Sequence, residues 1–208
     1  MLIGNYNKPV LLTYCGIVIS LLGMMLSLGG EIRYGFVCLI AAGICDLFDG
    51  RFANLFKRSA YEKGFGVEID SLGDMINFAA FPVVLFYSLG LTQWWHLLLF
   101  SFYVLAAVTR LAHFNVVAKQ HEASQRPTYF QGLPVTYSAL IFPVVWLMCH
   151  WWWPSGLSTV FPCTILVVGL LFVLNVKIPK PGLKLYVFFG ALALLVSYLI
   201  LSVGGEGR

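Results

Sequence analysis

Pro9-Val-Leu-Leu-Thr13-Tyr-Cys15-Gly-Ile-Val-Ile-Ser-Leu-Leu-Gly-Met-Met-Leu-Ser-Leu-Gly29 contains no charged side chain. A helix needs roughly 20 such residues to cross the hydrocarbon of a bilayer. The run is too long for the apolar region of a signal peptide, and no small-residue cleavage site follows it. It reads as a first membrane span. Comparable stretches follow at about 32–54, 66–90, 93–118, 132–152, 158–176 and 183–203, making seven candidate spans. Backbone polar groups in lipid must be satisfied within the segment, which makes these spans helices. The sequence therefore predicts an all-α fold, a polytopic membrane helical bundle.

Composition agrees. Of 208 residues 60% are hydrophobic and 11% charged, against about 25% charged in soluble domains. Mean hydropathy is +0.85. A soluble globular domain and a disordered chain are both excluded. The net charge of +4 does not point to nucleic acid, because the basic residues sit in short clusters between apolar runs. With a cytoplasmic N-terminus, one side receives Lys8, Arg51, Lys57, Arg58, Lys63, Arg110, Lys119, Arg126, Lys177, Lys180 and Lys184. The other receives only Arg33 and Arg208. That asymmetry follows the positive-inside rule, and Trp94, Trp95 and Trp151–Trp153 form an aromatic belt on the far side. The five cysteines include no C-x-x-C pair and read as small hydrophobes. The four histidines, His96, His113, His121 and His150, have no metal-ligand spacing.

The chain has only four aspartates, Asp46, Asp49, Asp70 and Asp74. Spacings of three and four residues put each pair on one helix face. The second and third spans are antiparallel neighbours joined by a short connection, so all four carboxylates can meet at one depth near the cytoplasmic surface. Close carboxylates cannot all remain ionised without cations. Each is also costly inside a membrane helix, about 2.5–3.5 kcal/mol on insertion scales. Hard oxygen donors suit Mg²⁺ or Mn²⁺. Four carboxylates can hold two such ions about 3.5–4 Å apart, an arrangement suited to phosphoryl transfer. Helix capping or a proton relay are the plainer readings of these residues. Gly50 and Ala53 lie on the face of Asp46 and leave room for a bulky group, or else simply pack helices. No Walker loop, Ser-His-Asp arrangement or dinucleotide fingerprint occurs.

These residues resemble the motif of the CDP-alcohol phosphotransferases, D-x2-D-G-x2-A-R-x8-G-x3-D-x3-D. The chain reads Asp46-x2-Asp49-Gly50-x2-Ala53-Asn54, then eleven residues, then Gly66-x3-Asp70-x3-Asp74. It departs at Asn54, where the family has arginine, and in a connection three residues longer; Arg51, Lys57 or Arg58 are the cations that could compensate. Phe65–Asp74, Arg110-Leu-Ala-His-Phe-Asn115-Val, Gly132-Leu-Pro134-Val-Thr and Val176-Lys-Ile-Pro179-Lys resemble the phosphatidylserine synthase group. Asn7–Thr13 resembles the family's opening.

The resemblance implies a membrane enzyme transferring a phosphatidyl group from CDP-diacylglycerol to L-serine, with CMP released. It implies metal ligation by Asp46, Asp49, Asp70 and Asp74, with Asp74 also as base. It implies donor contacts at Thr13, Asp49, Gly50, Ala53, Asn54, Lys57, Arg58 and Gly66, and commonly a homodimer. A six-span catalytic core would occupy 1–182, with an additional span and short tail at 183–208. Arg110 is the best partner for the serine carboxylate, since an intramembrane arginine is a functional candidate by default, although it could instead snorkel to the interface. Asn115 and Arg126 follow it. The expected location is the inner or plasma membrane, with the site facing the cytoplasm. Inositol phosphate, glycerol phosphate or a choline-type alcohol are the rival acceptors. A cation transporter and an inactive homologue are the more distant readings. Transport sites, however, lie near the midplane between repeats, and no repeat is visible here.

Overall fold

The computed structural model describes residue 4 and residues 6–121, 129–179 and 182–203. Helices dominate: α1 (Lys8–Leu28), α2 (Ile32–Ala53), α3 (Ala60–Asp74), α4 (Phe81–Ser88), α5 (Trp94–His121), α6 (Ser138–Trp152), α7 (Leu157–Val173) and α8 (Leu183–Ser202). A π turn, Met75–Ala80, joins α3 to α4 in one continuous rod. The rods therefore number seven among the described residues, with bounds near those expected from the sequence. Six of them are long and apolar enough to cross a membrane. The exception, α2, has the length but carries Arg33, Asp46, Asp49 and Arg51. Such an architecture is that of a multi-pass membrane protein.

Helix α1 buries a stripe of small residues, Thr13, Gly16, Ser20, Gly23 and Ser27. Small residues let two backbones approach closely, the usual solution where lipid provides no hydrophobic drive. The stripe lies along α2, and a Cβ on Gly35 would strike Ser27. The opposite face of α1 leaves Leu21, Leu22 and Met25 half or more exposed, as a lipid-facing surface requires.

Two sequence features refine the third rod. Ser59 and Glu62 form a reciprocal capping box, so α3 begins at Ala60, earlier than hydropathy suggests. The connection from α2 is correspondingly short. Further along, Pro82 has no N–H for the Phe78 carbonyl four residues back. Tyr103 Oη on α5 donates to that carbonyl at 2.6 Å. Tyr103 is itself wholly buried, in an aromatic core with Phe36, Phe86, Phe142, Phe161 and Phe172.

The connections around α6 and α7 are tied by a two-stranded antiparallel ribbon of β1 (Tyr129–Gln131) and β2 (Lys177–Pro179), with Phe130 opposite Ile178. Gly132 follows with φ +73°, and a Cβ there would lie 2.6 Å from the Phe172 carbonyl oxygen. Only glycine fits that approach. Its N–H donates to the Val176 carbonyl, and the N–H of Leu133 donates to that of Leu171. Pro134 and a 3₁₀ turn, Val135–Tyr137, then lead into α6.

Candidate metal centre

The last two turns of α2 and the last two turns of α3 face each other at one end of the bundle. Asp46, Asp49 and Asp70 each direct one carboxylate oxygen into a group whose members all lie within 4.8 Å of one another. Asp49 is buried, and Asp46 and Asp70 are half-buried. Asp49 pairs carboxyl to carboxyl with Asp70, and Asp46 with Asp74. Carboxyls this close require a shared proton or a cation between them.

Two hydroxyls orient the cluster. Thr13 Oγ1 on α1 donates to Asp49 Oδ2 at 3.2 Å, and Thr136 Oγ1, just before α6, donates to Asp46 Oδ2 at 2.7 Å. Each occupies one lone pair of a carboxylate and fixes where the remaining lone pairs point. Asp70 Oδ1 is buried with no hydrogen-bond partner. An orphaned acceptor beside two further carboxylates, with hard oxygen donors throughout, fits a divalent cation. The three aspartates could thus hold a metal.

The cluster opens into a cavity of about 560 Å³, the size of a small-molecule site. Its walls contain most of the residues singled out from the sequence. Gly50, Ala53, Asn54, Arg58, Gly66, Asp74, Thr13 and Arg110 all line it. A Cβ on Gly50 would meet nothing within 4 Å, so the space above that backbone is open, as the small-residue reading required. Arg58 lies over Gly66, its Nη1 3.5 Å from where a Cβ would be, and its Nε has no partner. Arg110 is buried, interacts electrostatically with Asp74 and Asp46, and leaves its Nε unpartnered.

Other expectations shift. Asp74 shares the cavity but stands outside the three-oxygen group, against Asp46 instead. Lys57 is exposed and not part of the lining, because one residue's rotation around the chain separates it from Arg58. Asn115 does not reach the cavity; its Oδ1 accepts from Ser71 Oγ at 3.0 Å, and Ser71 is the lining residue. Arg126 lies outside the described residues. Sequence reasoning gave Thr136 no role at the site, although it closes the Gly132-Leu-Pro134-Val-Thr segment. It also missed Tyr186, whose ring carries the Arg51 guanidinium 3.9 Å from its centroid.

Fold and site together define an integral helical membrane protein with a cluster of carboxylates, able to hold a metal ion, at one end of its bundle. More narrowly, the chain belongs to the CDP-alcohol phosphatidyltransferase family, whose sequence profile matches residues 6–176. Among curated relatives, the CDP-diacylglycerol–serine O-phosphatidyltransferase of Saccharomyces cerevisiae is 36% identical over 100 residues, 46% of this chain and 35% of that protein. The enzyme of the same name from Mycobacterium tuberculosis is 30% identical over 159 residues, 71% of this chain and 53% of its own length. The archaetidylserine synthase of Methanothermobacter thermautotrophicus is 27% identical over 173 residues, 83% and 69% of the two chains. This chain thus spans about a third to a half of the length of the first two.

Proposed function

We propose that the protein transfers a phosphatidyl group from CDP-diacylglycerol to L-serine, giving phosphatidylserine and CMP. The carrying observation is the meeting of Asp46, Asp49 and Asp70 in a half-open cavity at one end of a membrane bundle. The names of the similar proteins supply the acceptor.

In this reaction the serine hydroxyl oxygen bonds to the phosphorus that carries diacylglycerol. The bond from that phosphorus to the bridging pyrophosphate oxygen breaks, and CMP leaves with that oxygen. Asp46, Asp49 and Asp70 would hold the divalent cations, two Mg²⁺ or Mn²⁺ ions with Asp74 sharing the second. Bound there, such cations supply neutralisation of the phosphoryl and leaving-group charge. Asp74 takes the serine proton, from a position against Asp46 and near Arg110. Gly50 leaves room for the pyrophosphate, and Ala53, Asn54, Arg58 and Gly66 flank it. Arg110 holds the serine carboxylate through its fork of donors. The donor never leaves the bilayer, which accounts for a phosphoryl-transfer site inside a membrane bundle.

The catalytic domain in this proposal is 1–182, with 183–208 as an added span and tail, in a homodimer of the plasma or inner membrane whose site faces the cytoplasm. Purified protein, labelled CDP-diacylglycerol and a panel of acceptors test it. Metal-dependent CMP release with L-serine is expected. Release that follows inositol phosphate or glycerol phosphate and ignores serine would replace the acceptor. Chemical crosslinking in native membranes reports the dimer.

A further inference from the structure

Three arginines line the metal cavity, and each is held differently. Arg110 interacts with Asp74 and Asp46, and Arg58 lies over Gly66. Arg51, in the last turn of α2, is held by a ring instead. Its guanidinium carbon stands 3.9 Å from the ring centre of Tyr186 on α8. The cation facing Asp46 is Arg110. Arg51 follows Asp49 by two residues, about 200° around a helix, so the two side chains leave α2 on opposite faces. At this stacking distance the ring covers one face of the guanidinium and leaves the N–H groups around its rim for other partners.

Tyr186 is itself set in place. Its N–H donates to the Gly182 carbonyl at 3.2 Å, in the first turn of α8. Phe189, one turn further on, packs against Tyr137 with ring centres 5.3 Å apart. Tyr137 directly follows Thr136, whose hydroxyl holds Asp46. Helix α8 lies beyond the family-matched residues 6–176, yet its first turn is docked beside the aspartates. Arg51 is exposed and Tyr186 half-buried. A basic residue in a last helical turn suits the helix dipole, but the dipole requires no aromatic platform from another helix. A platform does restrict the rotamers of an exposed arginine before any ligand arrives, which lowers the entropy lost on binding.

We propose that Arg51 binds the pyrophosphate of the CDP-diacylglycerol donor and that Tyr186 of α8 is its positioning residue. The proposal rests on the donor assigned above. Arg51 adjoins Gly50, over whose backbone the cavity is open, and so stands on the side given to the pyrophosphate. Arg110 stands with Asp74 on the side given to the acceptor. The first turn of α8 thereby belongs to the donor site.

The test reads binding of radiolabelled CDP-diacylglycerol to the full chain in detergent with Mg²⁺ and no acceptor. Arg51→Gln should raise Kd about ten- to a hundredfold, the range for one charged hydrogen bond. Arg51→Lys keeps the charge and loses the fork, and should fall between. Tyr186→Leu should raise Kd about two- to fivefold, the scale of an exposed cation–π contact. Tyr186→Phe should restore it, because the phenyl ring keeps the platform. Combined with Arg51→Gln, Tyr186→Leu should add nothing, as expected for a residue acting through the other. In turnover, Arg51→Gln should raise KM for the donor and leave KM for serine within about twofold, which also shows that the variant folds. An unmoved Kd in Arg51→Gln, a Tyr186→Leu effect that persists without Arg51, or a rise in KM for serine in place of the donor would each overturn the assignment. Binding needs no serine, so the two proposals separate. Arg51-dependent donor binding without serine-dependent CMP release sinks the acceptor alone. Serine-dependent release with Kd unmoved in Arg51→Gln sinks the Arg51 site alone, and no donor binding by the unmodified chain removes both.

Discussion

Each of Asp46, Asp49 and Asp70 gives one oxygen to the same small volume; Thr136 orients Asp46, Thr13 orients Asp49, and Asp70 stands against Asp49. An Asp→Asn change keeps shape but replaces a negative donor by a neutral one. Groups that merely orient metal ligands are worth about 10–100-fold in affinity or activity when removed. Asp46→Asn, Asp49→Asn or Asp70→Asn should therefore each lower CMP release by more than ~100-fold while the protein still inserts. Thr13→Val and Thr136→Val should instead raise the Mg²⁺ needed for half-maximal rate by about 10–100-fold, with the rate regained at saturation. Near-normal turnover in any Asn variant at saturating Mg²⁺ would sink the centre. Asn54 carries a second prediction. Asparagine offers neither the charge nor the fork of arginine, and of Lys57 and Arg58 only Arg58 lines the cavity. Arg58→Gln should raise KM for the donor by the worth of one charged hydrogen bond, about 1.5–3 kcal/mol, and Asn54→Arg should lower it. Unchanged kcat/KM in both, and in Arg51→Gln and Lys57→Gln as well, would mean the pyrophosphate is held some other way; Arg51 also lines the cavity. The aspartates were legible because four carboxylates in apolar helices admit few explanations. Thr136 was not, because a threonine at a helix start is ordinary until its distance to Asp46 is known.

At the scale of elements, the site depends on a ribbon and a turn that hydropathy cannot see. Asp46 meets Thr136 only because Gly132, at φ +73°, turns the chain against the end of α7 before Pro134 starts the next span. A residue with a Cβ costs about 1–3 kcal/mol in that backbone region, and here the Cβ would also lie 2.6 Å from the Phe172 oxygen. Gly132→Ala should lower the melting temperature in detergent and raise the Mg²⁺ requirement along with it. A fall in melting temperature with metal affinity unmoved would detach the turn from the site. The helices themselves were legible, because apolar length alone decides them. The start of α3 was not legible from hydropathy alone, which places it too late, although Ser59-x-x-Glu62 carries a capping-box signature in the sequence. Nor was the π turn after Asp74, whose cause is the missing N–H of Pro82 and a carbonyl bond from another helix.

For the molecule as a whole, the antiparallel course of the rods puts the aspartates and most basic residues at one end. Lys8 opens α1, Arg51 closes α2, Lys57, Arg58 and Lys63 lie between and within the α2–α3 junction, and Arg110 is near the end of α5. Trp94, Trp95 and Trp151–Trp153, all exposed, mark the other end. Basic residues are retained on the cytoplasmic side and tryptophans settle at interfaces. The same end must meet water-soluble serine and release CMP if the proposed reaction is correct, so charge and chemistry make one demand. Whether α2 spans is what its own sequence leaves open, because four charges offset its length. A failure of α2 to cross would put 55–59 outside and 90–93 inside, the reverse of the assignment. Single cysteines at Lys57, Lys63, Thr92 and Ser155, all exposed, distinguish these cases. They are introduced after the native thiols are replaced, since Cys15 and Cys163 are themselves exposed. An impermeant maleimide should modify Lys57→Cys and Lys63→Cys only from the cytoplasmic face, and Thr92→Cys and Ser155→Cys only from outside. Modification of Lys57→Cys from outside with Thr92→Cys from the cytoplasmic face would remove α2 from the spans, and modification of both from one face would remove the α3–α4 rod; either result reverses the side assigned to everything after the lost span.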